Sequence, residues 1–110
     1  KDGQLYAVVG SLGGSRIITI VLQLVLNLID FDLNAQTAAM EPRFHHQWFP
    51  DQIEVEQGFS PDTIQSLQKM GHRVVPAQAL GHGMVILKRK DGLYEGGADH
   101  RRAWGAALGY

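Results

Sequence analysis

The longest apolar run in the chain, residues 17–29, is interrupted only by Thr19, Gln23 and Asn27. With Arg16 and Asp30 these polar residues recur every three or four positions, so they fall on one narrow helical stripe and apolar side chains cover the rest of the circumference. The pattern predicts a helix from Ser15 to about Asp30. A surface helix of a small domain needs only about a third of its circumference apolar; this one is expected to be covered on most sides, as the inner layer of something larger. It is too short to cross about 30 Å of hydrocarbon, and no membrane partner is expected.

Shorter patterns fill in the rest. Residues 5–9, 53–56, 73–75 and 84–88 read as strands. Asn34 caps a helix that runs through Met40 and is ended by Pro42. Ser60-Pro61 opens another, with Ile64, Leu67 and Met70 on one face and Gly71 at its end. Residues 84–88 and 93–95 flank Asp91-Gly92 and form a hairpin. Lys1-Asp2-Gly3-Gln4-Leu5-Tyr6 echoes Lys90-Asp91-Gly92-Leu93-Tyr94, so by analogy the chain opens on a hairpin turn whose first strand is absent. It is therefore expected to be the tail of a longer protein. The glycine-rich stretch from Gly96 onward reads as loosely organised. The class is α/β or α+β, in one unit spanning residues 1–110.

Composition narrows the function classes. A chain of 110 residues with 45% hydrophobic content supplies one core. Ten Lys and Arg against eleven Asp and Glu leave a net charge of -1, without the basic surplus that phosphate-backbone binding requires; nucleic acid is not an expected partner. The absence of cysteine removes disulfides, thiolate metal sites and a cysteine nucleophile together.

The candidate chemistry lies in Gly10-Ser11-Leu12-Gly13-Gly14-Ser15-Arg16, a glycine-dense turn between the first strand and the long helix. Such a turn points unobstructed backbone N–H groups at one spot before a helix N-terminus, where negative charge is favoured. The occupant is a phosphate, a carboxylate or an oxyanion formed during acyl transfer; the alternative is a tight turn needing glycine only for packing. No Gly-Lys-Ser/Thr follows, and Gly10, Gly13 and Gly14 do not fit G-x-G-x-x-G, so nucleotide binding is disfavoured. Ser11 and Ser15 are possible nucleophiles by type, but Gly-Ser-Leu-Gly-Gly is not the G-x-S-x-G elbow, and Ser15 is better placed to cap the helix. His45 and His46, being adjacent, point to different sides and fit packing or a hydrogen-bonded network better than a metal. Arg43, in an apolar stretch, reads as a structural clamp. Asp99, His100, Arg101 and Arg102 read as a solvated charged cluster, and His82, between two glycines, as a loop residue. No metal or cofactor site is assigned, and no complete catalytic set is present.

Three blocks together identify a resemblance: Gly10-Ser11-Leu12-Gly13-Gly14-Ser15-Arg16-Ile17-Ile18-Thr19, Pro42-Arg43-Phe44-His45-His46-Gln47-Trp48 and Gly58-Phe59-Ser60-Pro61-Asp62-Thr63. In order and spacing, over essentially the whole chain, they resemble the C-terminal part of the small subunit of γ-glutamyltranspeptidases. The resemblance implies an α+β chain within a four-layer αββα N-terminal-nucleophile hydrolase, made as a precursor that cleaves itself into large and small subunits. It implies a threonine nucleophile that takes the γ-glutamyl group from glutathione or a related compound and passes it to water or an amine, without a cofactor. It implies that Gly13 and Gly14 donate backbone N–H bonds to the oxyanion, with Ser11 beside them as a substrate contact. Periplasmic or extracellular location is implied as well. The nucleophile and the residues holding the substrate's α-amino and α-carboxylate groups lie upstream in the family, so the expected partners are the large subunit and the N-terminal part of the small subunit. This chain alone is expected to be inactive and to self-associate. Leu12 stands where typical members have Pro, and Gly81-His82-Gly83-Met84 departs from the family's Ser/Thr-containing segment. A non-catalytic anion-binding or assembly module is the alternative reading.

Overall fold

The computed structural model describes residues 1–109. The elements in chain order are β1 (Ala7–Leu12), α1 (Ile17–Ile29), α2 (Ala35–Met40), β2 (Phe44–His45), β3 (Ile53–Glu56), α3 (Pro61–Lys69), β4 (Val74–Ala77), β5 (His82–Lys88) and β6 (Tyr94–Ala98). One antiparallel sheet has the order β1-β5-β6 and a second the order β2-β3-β4. In the second, β2 and β3 are antiparallel while β3 and β4 run parallel, because α3 carries the chain back between them.

The core lies where α1 and α2 cover one face of the first sheet. Ile20, Leu24 and Leu28 of α1 and Ala35, Ala38 and Ala39 of α2 are buried with Val85, and Tyr6, Ala7, Val9, Leu33 and Leu87 pack against them. The small residues of α2 let its backbone approach the sheet. A Cβ on Gly97 of β6 would strike the Ala35 carbonyl and stand 2.9 Å from the Gln36 nitrogen. The polar stripe of α1 is used internally: the Gln23 amide donates to the Phe44 carbonyl at 2.8 Å and accepts the Phe44 N–H at 3.0 Å, while Asn27 donates to the Ala38 carbonyl at 3.2 Å. The apolar remainder of α1 is only partly covered, with Ile18 77% and Leu22 53% exposed.

Local signals explain most boundaries. Asn34 Oδ1 accepts the Thr37 N–H at 2.8 Å, and Ser60 Oγ accepts the Asp62 N–H ahead of Pro61. Asp2 and Gly3 take positive φ (51° and 73°) and Gln4 N–H returns to the Lys1 carbonyl at 2.9 Å, the positive-φ pair of a hairpin turn.

Several expectations are corrected. β1 extends to Leu12 because Gly10 and Ser11 find ladder partners in Met84 and Gly83. Ser15 does not cap α1: a 3-10 turn over Gly14–Arg16 precedes the helix, whose cap position is Arg16, without a side-chain cap. Met70 is exposed instead of joining Ile64 and Leu67 against the chain. Gly96 and Gly97 are strand residues, paired with Ile86 and Val85. His82 opens β5 and is buried, its ring centroid 4.9 Å from that of Trp104.

Candidate active site

β1 delivers the chain to Gly13 and Gly14, whose φ values of 141° and 59° lie where only glycine is unstrained. The Gly13 carbonyl accepts from Arg16 N–H at 3.2 Å, which tightens the turn into the 3-10 segment. Among the described residues, neither the Gly13 nor the Gly14 N–H donates a hydrogen bond, although both are backbone donors that normally find partners. Two adjacent unpaired donors thus precede a 13-residue helix, the kind of backbone arrangement that favours a negatively charged oxygen.

The glycine turn is braced from three sides. Gly81, with φ 70°, lies so close beneath it that a Cβ there would stand 2.5 Å from the Leu12 carbonyl. Ser11 Oγ donates to that same carbonyl at 2.8 Å and accepts the His82 N–H at 3.4 Å. Its hydroxyl is therefore committed to closing the β1–β5 end. Beyond the glycines, Ser15 Oγ donates to Gln47 Oε1 at 2.8 Å, and the Arg16 guanidinium forks onto Glu54 of β3 at 2.8–3.0 Å. The adjacent histidines separate as alternation requires. His45 is buried against Thr19, and half-exposed His46 meets Asp51.

The third brace is a buried ionic cluster. Arg43 Nη1 donates to Asp99 Oδ2 at 2.6 Å and to the Leu80 carbonyl at 3.0 Å, and Nη2 donates to the Ala39 carbonyl at 2.8 Å, a clamp of the kind its apolar surroundings predict. Arg101 bridges Asp99 and Glu56. The two carboxylates in turn hold the segment around Gly81 that leads into β5: Asp99 accepts Gly83 N–H at 2.8 Å and Glu56 accepts Leu80 N–H at 2.6 Å. Burial by itself would raise the Asp99 carboxyl, but the Gly83 and Arg101 N–H groups and the Arg43 guanidinium outweigh it and hold the pKa at about 2. Glu56 is likewise pushed up by burial and, more strongly, down by Arg101 and the Leu80 and Arg43 N–H groups. The solvated-cluster reading of Asp99 and Arg101 is thus corrected. Glu56 carries no sequence signal, since its partners are 13, 24 and 45 residues away.

The comparisons follow the same lines. The family model for gamma-glutamyltranspeptidase matches residues 1–109. The chain is 48% identical over its full length to a glutathione hydrolase proenzyme of Escherichia coli, covering 19% of that protein, and 41% identical to one from a Pseudomonas strain, covering 21%. It therefore spans about a fifth of the length of these curated relatives. Among solved structures, a mutant gamma-glutamyltranspeptidase of Helicobacter pylori superposes with a TM-score of 0.86 at 40% identity, over 93% of this chain and 57% of that one. A cephalosporin acylase of Bacillus halodurans does so with 0.84 at 29% identity, over 97% and 22%. The α+β arrangement, with α1 and α2 on one sheet, is that of these hydrolases. With a family model matched almost from end to end and curated relatives 48% and 41% identical over its full length, this chain belongs to the gamma-glutamyltranspeptidase family.

Proposed function

We propose that the protein carrying this chain is a γ-glutamyltransferase and glutathione hydrolase, and that the chain supplies its oxyanion hole. The observation that carries the reading is the pair of free N–H groups on Gly13 and Gly14, in a family member whose chemistry is acyl transfer. When a threonine from the preceding part of the small subunit attacks the γ-glutamyl carbonyl, that oxygen becomes an alkoxide. Two fixed backbone donors stabilise it more than the ground-state carbonyl, which lowers the barrier. Losing one such donor typically costs about 100- to 1,000-fold in rate. The same hole serves the collapse of the γ-glutamyl-enzyme onto water or an amine, since both steps pass through the same kind of intermediate. The large subunit and the rest of the small subunit supply the nucleophile and the groups that hold the α-amino and α-carboxylate ends.

An assay with a γ-glutamyl anilide tests this. The self-cleaved full-length precursor releases the aniline, whereas this chain alone does not. Turnover by the isolated chain, or a correctly cleaved precursor inert toward every γ-glutamyl amide offered, overturns the reading.

A further inference from the structure

We infer that His45 and Gln47 are positioning residues for the glycine turn, acting through a relay of four side chains that ends on Ser15. The inference rests on the oxyanion-hole reading. Ser15 follows Gly14 directly, so whatever fixes Ser15 limits where the Gly14 N–H can aim. The backbone around it is shaped by the 3-10 turn, in which Arg16 N–H returns to the Gly13 carbonyl and Ile17 N–H to the Gly14 carbonyl, but no side chain caps the start of α1. The Ser15 side chain adds a tether across to the loop after β2, its hydroxyl donating to Gln47 Oε1 at 2.8 Å.

Gln47 is itself tightly held. Its Oε1 is shared with His45 Nε2 at 3.0 Å, and its Nε2 donates to the Phe49 carbonyl at 3.2 Å, which fixes which end of the amide faces Ser15. The surrounding loop is closed by Trp48 N–H on His46 Nδ1 at 3.1 Å and by Phe49 N–H on the Gln47 carbonyl at 2.9 Å. Trp48 takes a φ of 74° to do so, a conformation a non-glycine residue keeps only when its surroundings impose it.

Gln47 Oε1 can only accept, so His45 Nε2 donates to it. His45 Nδ1 lies 2.7 Å from the Thr19 hydroxyl on α1, which also lies 3.1 Å from the Arg16 carbonyl. Thr19, His45, Gln47 and Ser15 thus form a hydrogen-bonded chain from the body of α1 to the residue after the two glycines. His45 is 3% exposed, which keeps water from competing for its bonds. No member of the chain needs to touch substrate.

The test uses the full-length precursor and a double-mutant cycle on γ-glutamyl anilide turnover. Gln47→Met keeps the length and removes the acceptor; Ser15→Ala removes the donor; Ser15→Thr restores a hydroxyl. Gln47→Met and Ser15→Ala are each expected to lower kcat by about ten- to hundredfold with KM within about twofold, because the oxyanion contact is made in the transition state. The double variant is expected to be no slower than Gln47→Met, since both changes break one bond, and Ser15→Thr is expected to recover most of the rate. Unchanged kcat, or multiplicative losses in the double variant, overturns the inference. So does a fall in kcat that only tracks a lowered melting temperature. If Gln47→Met does not fold, the Ser15→Ala and Ser15→Thr pair decides the question alone. A cleaved wild-type precursor without any turnover refutes the oxyanion-hole reading instead, so the two failures are separable.

Discussion

Asp99 shows how much one side chain can hold. It is fully buried, and accepts from Arg43, from Arg101 and from two backbone N–H groups. With Glu56 it balances two guanidinium charges inside the protein. Such a cluster is weak evidence of net stability, but removing one partner strands the others, typically at a cost of about 3–5 kcal/mol. Asp99→Ala in the full-length protein is expected to lose stability on that scale, read from the urea midpoint. The pH dependence follows from the folded carboxyl titrating at about 2, below its ordinary 3.8. Between those values the unfolded chain binds the extra proton. The contribution of Asp99, on the order of 2 kcal/mol, is therefore complete above about pH 5 and lost as the pH falls toward 2; Glu56, also depressed, adds in the same direction. Urea midpoints that stay flat from pH 6 to pH 3 would contradict this. The burial of Asp99 could not be read from Asp99-His100-Arg101-Arg102, because the second cation, Arg43, lies 56 residues away, and an Asp two residues from an Arg looks in sequence like a solvated pair. Arg43 was legible, since an arginine in an apolar run must find partners or not be there.

At the scale of elements, the caps and periodicities that act within a few residues were legible: Asn34, Ser60-Pro61 and the apolar faces of α1 all appear where local chemistry puts them. What crosses between elements was not. The glycines at the end of the chain looked like slack, yet Gly97 is where the α2 backbone meets β6. Its φ is not positive, so the requirement is space alone. Gly97→Ala is expected to force the α2 start outward and to cost about 1–3 kcal/mol, the usual range for overpacking. Gly10→Ala, on β1 at the opposite edge of the same sheet with nothing within 4 Å of its Cβ position, is expected to change stability by less than about 1 kcal/mol. Thermal melts of the two variants, side by side in the full-length protein, separate a glycine needed for approach from one that is not; equal melting temperatures would remove the role assigned to Gly97. The glycine turn divides in the same way. Its positive-φ residues Gly13 and Gly14 were visible in the sequence because glycine is a local signal, whereas the close approach of Gly81 and the Gln47 tether depend on register and loop path.

Over the whole molecule, the apolar surface is larger than 109 described residues can cover. The radius of gyration is 15.1 Å, against about 13 Å for a compact chain of this length. The excess goes with two open apolar faces. One is the outer side of α1, where Ile18 and Leu22 project; the other is the side of the β1-β5-β6 sheet away from the helices, where Val8, Ile86 and Tyr94 stand. β1 is also an edge strand, so its outward N–H and C=O groups can pair with another strand. Within the isolated chain these faces meet water. The isolated chain is therefore expected to self-associate, since faces of this kind drive association once exposed. Light scattering at rising concentration should show mass growing well beyond 12.1 kDa, and a double change, Ile18→Lys with Leu22→Glu, should reduce it without loss of the far-UV signal. The pair removes apolar area from α1 at positions that are mostly exposed, so the core of Ile20, Leu24 and Leu28 is left intact. A clean monomer for the unmodified chain at high concentration would mean that these faces are covered by rearrangement within the chain, and that the long apolar helix does not need a second layer.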